Sequence, residues 1–562
     1  MKKTGKKLSL LMAAVVAAST ILAGCGSSDT GTTPTSAADK TQATTAAPSG
    51  TEAATQAPSQ ADQGGNYDAV VNYGITTAWD SLNPYGVAAS GSFYQNLVLE
   101  KLYDRLAYIE EAGSGIKPRA AMSWEQEDDG MTTIFHLNPD AKFHDGEPVT
   151  AEDWVWTLQL ITDPEYKYGL KSEFAVFDGT DDDGNEVSEN SVAAEAVDDY
   201  TFKVKFKRVY PVEDWILLKN RYFYVLPKHL LEDKAPTEIM ESDFWKSPVG
   251  SGPLTFISEI SGSELQLGSF KDYYQGQPKF QKLVYRVVSA TNTVTSVMAG
   301  ELDYFFNGPS IDDAEAAEAA GLDVQRTEIP TGATIFLINN QNVQDKKIRQ
   351  ALSYAIDKEE CMQQAVRGEG VIASTCILPA SEYYNPATEW HRDVEKAKSL
   401  LAEAGWDNSK VLTMAVGSTR ESLAALIQQQ LREAGVEIEV LTVDVATMFS
   451  GLQDGTYDLG ICGSSASSYP LWMEGYYDYR NATYCQITDP VYADLQAKIS
   501  QESDPAKRKE LVNEYQDLLL DEMPLVMLYY ANSFALTSER LTNINPFDSS
   551  MLNEAVWEWE IQ

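Results

Sequence analysis

Basic residues are scarce in this chain. Of its 562 residues only 43 are Lys or Arg, against 83 Asp or Glu, and the formal net charge is -40. Such an anionic body repels nucleic acid and anionic lipid, so neither is expected as a partner. An anionic guest needs a local basic pocket set against that field. Histidine is rarer still. His136, His144, His229 and His391 are scattered, and the five cysteines show no CxxC spacing. That argues against a Cys/His metal scaffold. No GxSxG elbow, P-loop, GxGxxG or HExxH occurs, so the usual signposts of hydrolase, nucleotide and metalloprotease chemistry are missing. The sequence reads as a non-enzyme with no catalytic residues, no metal ligands and no cofactor. The prominent apolar run at the start, Leu8 to Ala23, is about sixteen residues, short of the roughly twenty a spanning helix needs.

What is present begins with an address. Lys2, Lys3, Lys6 and Lys7 precede the apolar run, and small residues end it at Ala23-Gly24. That tripartite order is a secretory signal covering residues 1–24. Leu22-Ala23-Gly24-Cys25 resembles the lipobox of bacterial lipoproteins. The resemblance implies cleavage before Cys25 and acylation of its thiol, which anchors a domain by burying methylenes. Residues 25–66 then carry the acylated cysteine and a linker of Thr, Ala, Ser, Gly, Pro and Gln. Such a stretch cannot bury enough surface to offset its chain entropy, and its mean reach is roughly 35 Å. The expected location is the outer face of the cytoplasmic membrane, lipid-anchored.

From Tyr67 onward about 496 residues remain, too many for one core and enough for two or three packed domains. Strand signals at Val70–Ile75, Thr132–Leu137, Thr201–Phe206, Leu254–Ile257, Leu283–Val288, Thr334–Ile338, Val436–Val443 and Asp458–Cys462 alternate with helical patterns. Helices are predicted over Phe93–Leu106, from Thr150 with Asp153 completing a capping box, over Lys347–Ile356, Val394–Ala404 and Leu423–Ala434, and through most of Pro490–Leu520. Gly405 and Gly435 close two of them. The alternation argues for α/β layers. Four body cysteines allow three pairings, and sequence alone does not choose; local closure suggests Cys361–Cys376 and Cys462–Cys485, with four buried thiols as the alternative.

The densest motif is Ser123-Trp124-Glu125, Asp128-Asp129-Gly130, Phe135-His136-Leu137 and Lys142-Phe143-His144-Asp145-Gly146-Glu147-Pro148-Val149-Thr150-Ala151-Glu152-Asp153-Trp154. Further blocks follow in order: Pro248-Val249-Gly250-Ser251-Gly252-Pro253, Asp272-Tyr273-Tyr274, Gly300-Glu301-Leu302-Asp303, Ile348 to Asp357 and Ala397 to Trp406. Together they resemble the large extracellular solute-binding proteins, family 5, of bacterial ABC importers for peptides and nickel. Asn138 departs from the pattern, where the family usually has Arg. The resemblance implies a two-lobed periplasmic-binding-protein-like α/β fold (type II, or cluster C). It carries an extra subdomain and a ligand cleft between the lobes. By analogy, lobe 1 is 67–107, 223–332 and 530–562, the subdomain 108–222 and lobe 2 333–529. The motif blocks read as scaffold: Arg349 and Asp357 are expected to pair or cap rather than meet a ligand. The implied function is capture of peptides by a monomer that hands them to membrane permease subunits.

The family's cleft walls fall here on 74–79, 335–340 and 460–472. Candidate ligand contacts are Thr76, Thr77, Trp79, Asn339, Gly463, Ser464, Ser467, Ser468, Tyr469, Trp472 and Tyr476. Ser468 stands where related peptide binders place an aspartate that anchors the peptide's ammonium. A buried ammonium without a carboxylate loses its main partner; Glu474 and Asp478 are the nearby substitutes. The aromatic cluster Tyr469, Trp472, Tyr476, Tyr477, Tyr479 and Tyr484 also suits sugar rings, so an oligosaccharide is the alternative guest. A nickel or metallophore cargo comes third.

Overall fold

The computed structural model describes residues 66–86, 93–109, 116–212, 215–216, 222–306, 310–327, 329–388, 391–466, 470–477, 484–544 and 555–562. Cys25 and the rest of the linker before residue 66 lie outside them. Two sheets carry the architecture. The first holds seven strands in the order β12-β19-β11-β1-β10-β9-β8. These are β1 (Val70–Ile75), β8 (Leu254–Ile260), β9 (Glu264–Ser269), β10 (Lys282–Val287), β11 (Tyr304–Phe306), β12 (Asp323–Arg326) and β19 (Phe534–Thr537). The second holds six in the order β14-β18-β13-β17-β15-β16. They are β13 (Gly332–Ile338), β14 (Gly370–Ile372), β15 (Val411–Val416), β16 (Glu437–Thr442), β17 (Leu459–Ser465) and β18 (Leu525–Ala531). A four-stranded sheet, β4-β5-β7-β6, is built from β4 (Ala121–Gln126), β5 (Thr132–Leu137), β6 (Ala194–Asp198) and β7 (Thr201–Lys205). Ribbons β2–β3 (Ala107–Ile109, Ile116–Pro118) and β20–β21 (Leu541–Thr542, Glu560–Ile561) complete the strands.

Alternation along β13 explains why the second sheet is covered on both faces. Phe336 and Ile338 enter one core with Leu352, Cys361, Leu401 and Ile427, whereas Ile335 and Leu337 enter another with Cys376, Met448, Cys462, Cys485 and Tyr515. The expected Cys361–Cys376 pairing is therefore wrong, because the two thiols sit on opposite faces of the sheet. All four body cysteines are free and buried, Cys462 and Cys485 included. Burial pushes the Cys376, Cys462 and Cys485 thiols up to about 12.

Local signals position the helices. Thr150 N–H and Oγ–H both donate to Asp153 Oδ2 at 2.8 Å, fixing the start of helix Ala151–Thr162. Helix Lys346–Ala355 turns Arg349 inward. Its guanidinium donates to the carbonyls of Glu522 and Met523 at the end of helix Pro505–Glu522, and to those of Val343 and Gln344. Asp357 caps helix Lys358–Val366 through Glu360 N. Both residues cap, as expected.

The chain crosses between the two large sheets twice, from β12 to β13 and from β18 to β19. The crossings are tied together. Thr327 N donates to Ser533 O at 3.0 Å, Ser533 N to Thr327 Oγ at 2.9 Å, and the Thr331 and Ser533 hydroxyls lie 2.6 Å apart. Two hydrogen-bonded crossings make a hinge between lobes.

Candidate functional site

The site is built where β1 and β17 end, beside the hinge. Gly332 and Thr334 of β13 pair with Ser465 and Gly463 of β17, and Thr334 also pairs with Tyr529 of β18. Gly463, Thr334 and Tyr529 therefore form one row across the second sheet. Arg420 reaches over that row from the turn between β15 and helix Glu421–Glu433. Its Nη1 donates to Thr334 Oγ at 3.4 Å. A Cβ at Gly463 would come within 2.5 Å of Arg420 Nη2, so the missing side chain makes room for the guanidinium. Burial raises the Tyr529 hydroxyl above its ordinary value, and the neighbouring Arg420 charge opposes the rise. Arg420 is half-buried, and no carboxylate among the described residues pairs with it. In a chain this acidic, a half-buried arginine with no acid partner among the described residues is conspicuous. Sequence reasoning missed it; the signal was a basic residue at a strand-to-helix turn beside the predicted wall.

The expected contacts divide. Thr77 is exposed, and Thr76 is half-buried with its hydroxyl bonded to Tyr94 OH. Trp79 is only 5% exposed; it packs in the first core and donates Nε1 to Glu259 Oε1 at 2.8 Å. It props the loop after β1 rather than offering an open ring face. Asn339 is fully buried. Its amide donates to Leu452 O, and its oxygen accepts from Gln341 N and Asn342 N, so the side chain is held inside the lobe. Both are corrected to scaffold. Trp472 is half-buried, with its N–H spent on Cys376 O at 2.6 Å. Tyr476 is half-buried against Tyr484, which packs at a tilt on Phe449 with centroids 4.1 Å apart. Gly463 and Ser464 are half-buried on β17. Ser467, Ser468, Tyr469 and Asp478, with the Glu474 side chain, lie outside the described residues.

The His-Asp-Gly block is structural. His144 accepts the Gly250 N–H on Nδ1 and faces Gly252 O with Nε2, both at 3.1 Å. Gly250 itself packs so tightly that a Cβ would fall 1.8 Å from Leu102 O. Desolvation holds the imidazole down at about 4, hence neutral. Asp145 accepts from His229 Nε2 at 2.8 Å. Among the described residues no cluster of three metal-ligating side chains occurs, and no helix is long and apolar enough to cross a membrane.

Similar proteins share this architecture. The ABC transporter substrate-binding protein CtaP from Listeria monocytogenes superposes with a TM-score of 0.77 at 25% identity, over 88% of this chain and 100% of that one. The oligopeptide-binding protein AppA from Bacillus subtilis is 25% identical over 516 residues, 85% of this chain and 88% of that protein. Heme-binding protein A from Haemophilus influenzae is 25% identical over 483 residues, 79% of this chain and 84% of that protein. The model for bacterial extracellular solute-binding proteins, family 5, matches residues 115–483. That match spans well over half of the sequence, and with the two-lobed fold and its hinge it assigns the chain to the bacterial extracellular solute-binding proteins, family 5.

Proposed function

We propose that the chain is the receptor of an ABC importer, lipid-anchored through Cys25, and that it captures short peptides between its lobes and passes them to the permease as a monomer. The observation that carries this reading is Arg420, a half-buried guanidinium with no acid partner among the described residues, set over the paired strands β13 and β17 beside the hinge. A planar fork of donors suits a carboxylate held in two places. Extended backbone at the ends of β1 and β17 offers N–H and C=O groups that a peptide main chain can match without its side chains being read. The oligopeptide-binding relative supports a peptide; the haem-binding one shows that the family's guests vary. No step of bond-making enters the reading.

Mass spectrometry of solute co-purified with the exported protein identifies the guest class directly. Titration with matched peptides bearing a free or an amidated C-terminus then tests Arg420. Losing a charge-assisted pair costs about 1.5–3 kcal/mol, or roughly 10- to 100-fold in affinity. Amidation and Arg420→Met should each weaken binding by that factor, and the two together by little more. Equal affinity for free and amidated peptides defeats the carboxylate assignment.

A further inference from the structure

We propose that a reciprocal set of ion pairs behind the hinge acts as a counterweight that holds the ligand-free protein open. The sheet orders locate it. In the first sheet β12 lies on one side of the crossing strand β19, and β1 lies on the other. In the second, β14 lies on one side of β18, and β17 on the other. The β12 and β14 edges thus flank the crossings on the side away from the candidate site.

Each lobe sends an arginine to the other across that back edge. Arg326 of β12 pairs with Glu369 Oε1 at 3.0 Å, while Glu318 of helix Ile311–Ala319 holds its other side at 2.7 Å. In return Arg367, the left-handed C-cap of helix Lys358–Val366, pairs with both Asp312 and Glu315 on the helix that carries Glu318. Asn532, in the second crossing, donates to Glu369 through backbone and side chain. Rotation about the crossings that brings the ends of β1 and β17 together swings these outer edges apart and breaks the pairs. They are partly exposed, so each contributes little to stability and is screened by salt. A lobe equilibrium is a balance of small terms, however, and three pairs that closure would break are enough to shift it.

The test needs no ligand. Spin labels on Asp80→Cys and Thr419→Cys flank the cleft side, in the loops after β1 and β15, while the four body thiols are buried. Distance distributions are recorded by pulsed electron resonance on the full chain in detergent. In the Arg326→Gln/Arg367→Gln double variant the closed-to-open ratio should rise about fivefold. Molar sodium chloride should produce the same shift in the unaltered pairs and none in the double variant. Arg367→Lys should keep the original distribution. Glu315→Gln alone, a single change on an exposed helix face, should give a smaller shift in the same direction and serves if the double variant does not fold. An unchanged distribution, or a move to longer distances, overturns the counterweight.

Discussion

Arg420 lies across Gly463, with Nη2 occupying the space a Cβ would need. Gly463→Val suits a strand, because β-branched residues fit a pleated surface, yet it expels the guanidinium from Thr334. The expected result is peptide affinity reduced about tenfold or more, with the β13–β17 pairing and the unfolding midpoint close to those of the original protein. Isothermal titration beside a denaturation curve checks both; full affinity would mean that the arginine's seat is irrelevant.

His144 ties an acid-sensitive term to the first core. The folded imidazole resists protonation until about pH 4, whereas an unfolded histidine takes up its proton near 6.5. The unfolded state binds more protons between those values, so stability falls as pH falls through that window. The loss approaches an upper bound on the order of 3 kcal/mol. Urea midpoints at pH 7 and pH 4.5 should differ more for the original protein than for His144→Gln.

Lys358 is buried, its ammonium donates to the Ala373 carbonyl at 2.7 Å, and burial lowers it from 10.5 to about 7. Here too the unfolded chain holds the extra proton, now between 7 and 10.5, so stability rises with pH across that range. Lys358→Met should remove the rise and be more stable at pH 7, on the order of 2 kcal/mol. Denaturation series at pH 7 and 9.5 give the comparison. A variant less stable at both values would place the Ala373 hydrogen bond above the cost of burying the charge.

The four body thiols are shielded and held well above the ordinary thiol range. Alkylation at pH 8 should therefore modify none of them in the folded protein and all four once urea is added, without any reductant. Intact-mass measurement counts the adducts. A requirement for reductant would restore a disulfide.

Local chemistry made most of the scaffold readable. The Thr150–Asp153 box, the glycines at 405 and 435, and the alternation of Thr132–Leu137 depend on neighbours a few residues away, and all sit where the pattern predicts. The site is different. Arg420 gains meaning only from Thr334, 86 residues earlier, and from the bare backbone of Gly463. Trp79 and Asn339 have the right chemistry for a cleft, but sequence does not say which way a side chain turns, and here both turn inward. The Cys361–Cys376 pairing failed for a related reason. Closeness along the chain is silent about which face of a sheet each thiol takes.

The first core is stitched from distant parts of the chain. Trp559 packs edge-on against Tyr304 and at a tilt against Tyr73, with centroids 5.2 and 6.3 Å away, and the Glu560–Ile561 strand is bonded back to Leu541–Thr542. No ribosome can present that lobe whole until residues past 555 have emerged. An export channel that threads polypeptides in extended form would thus receive a chain whose first core is still unclosed.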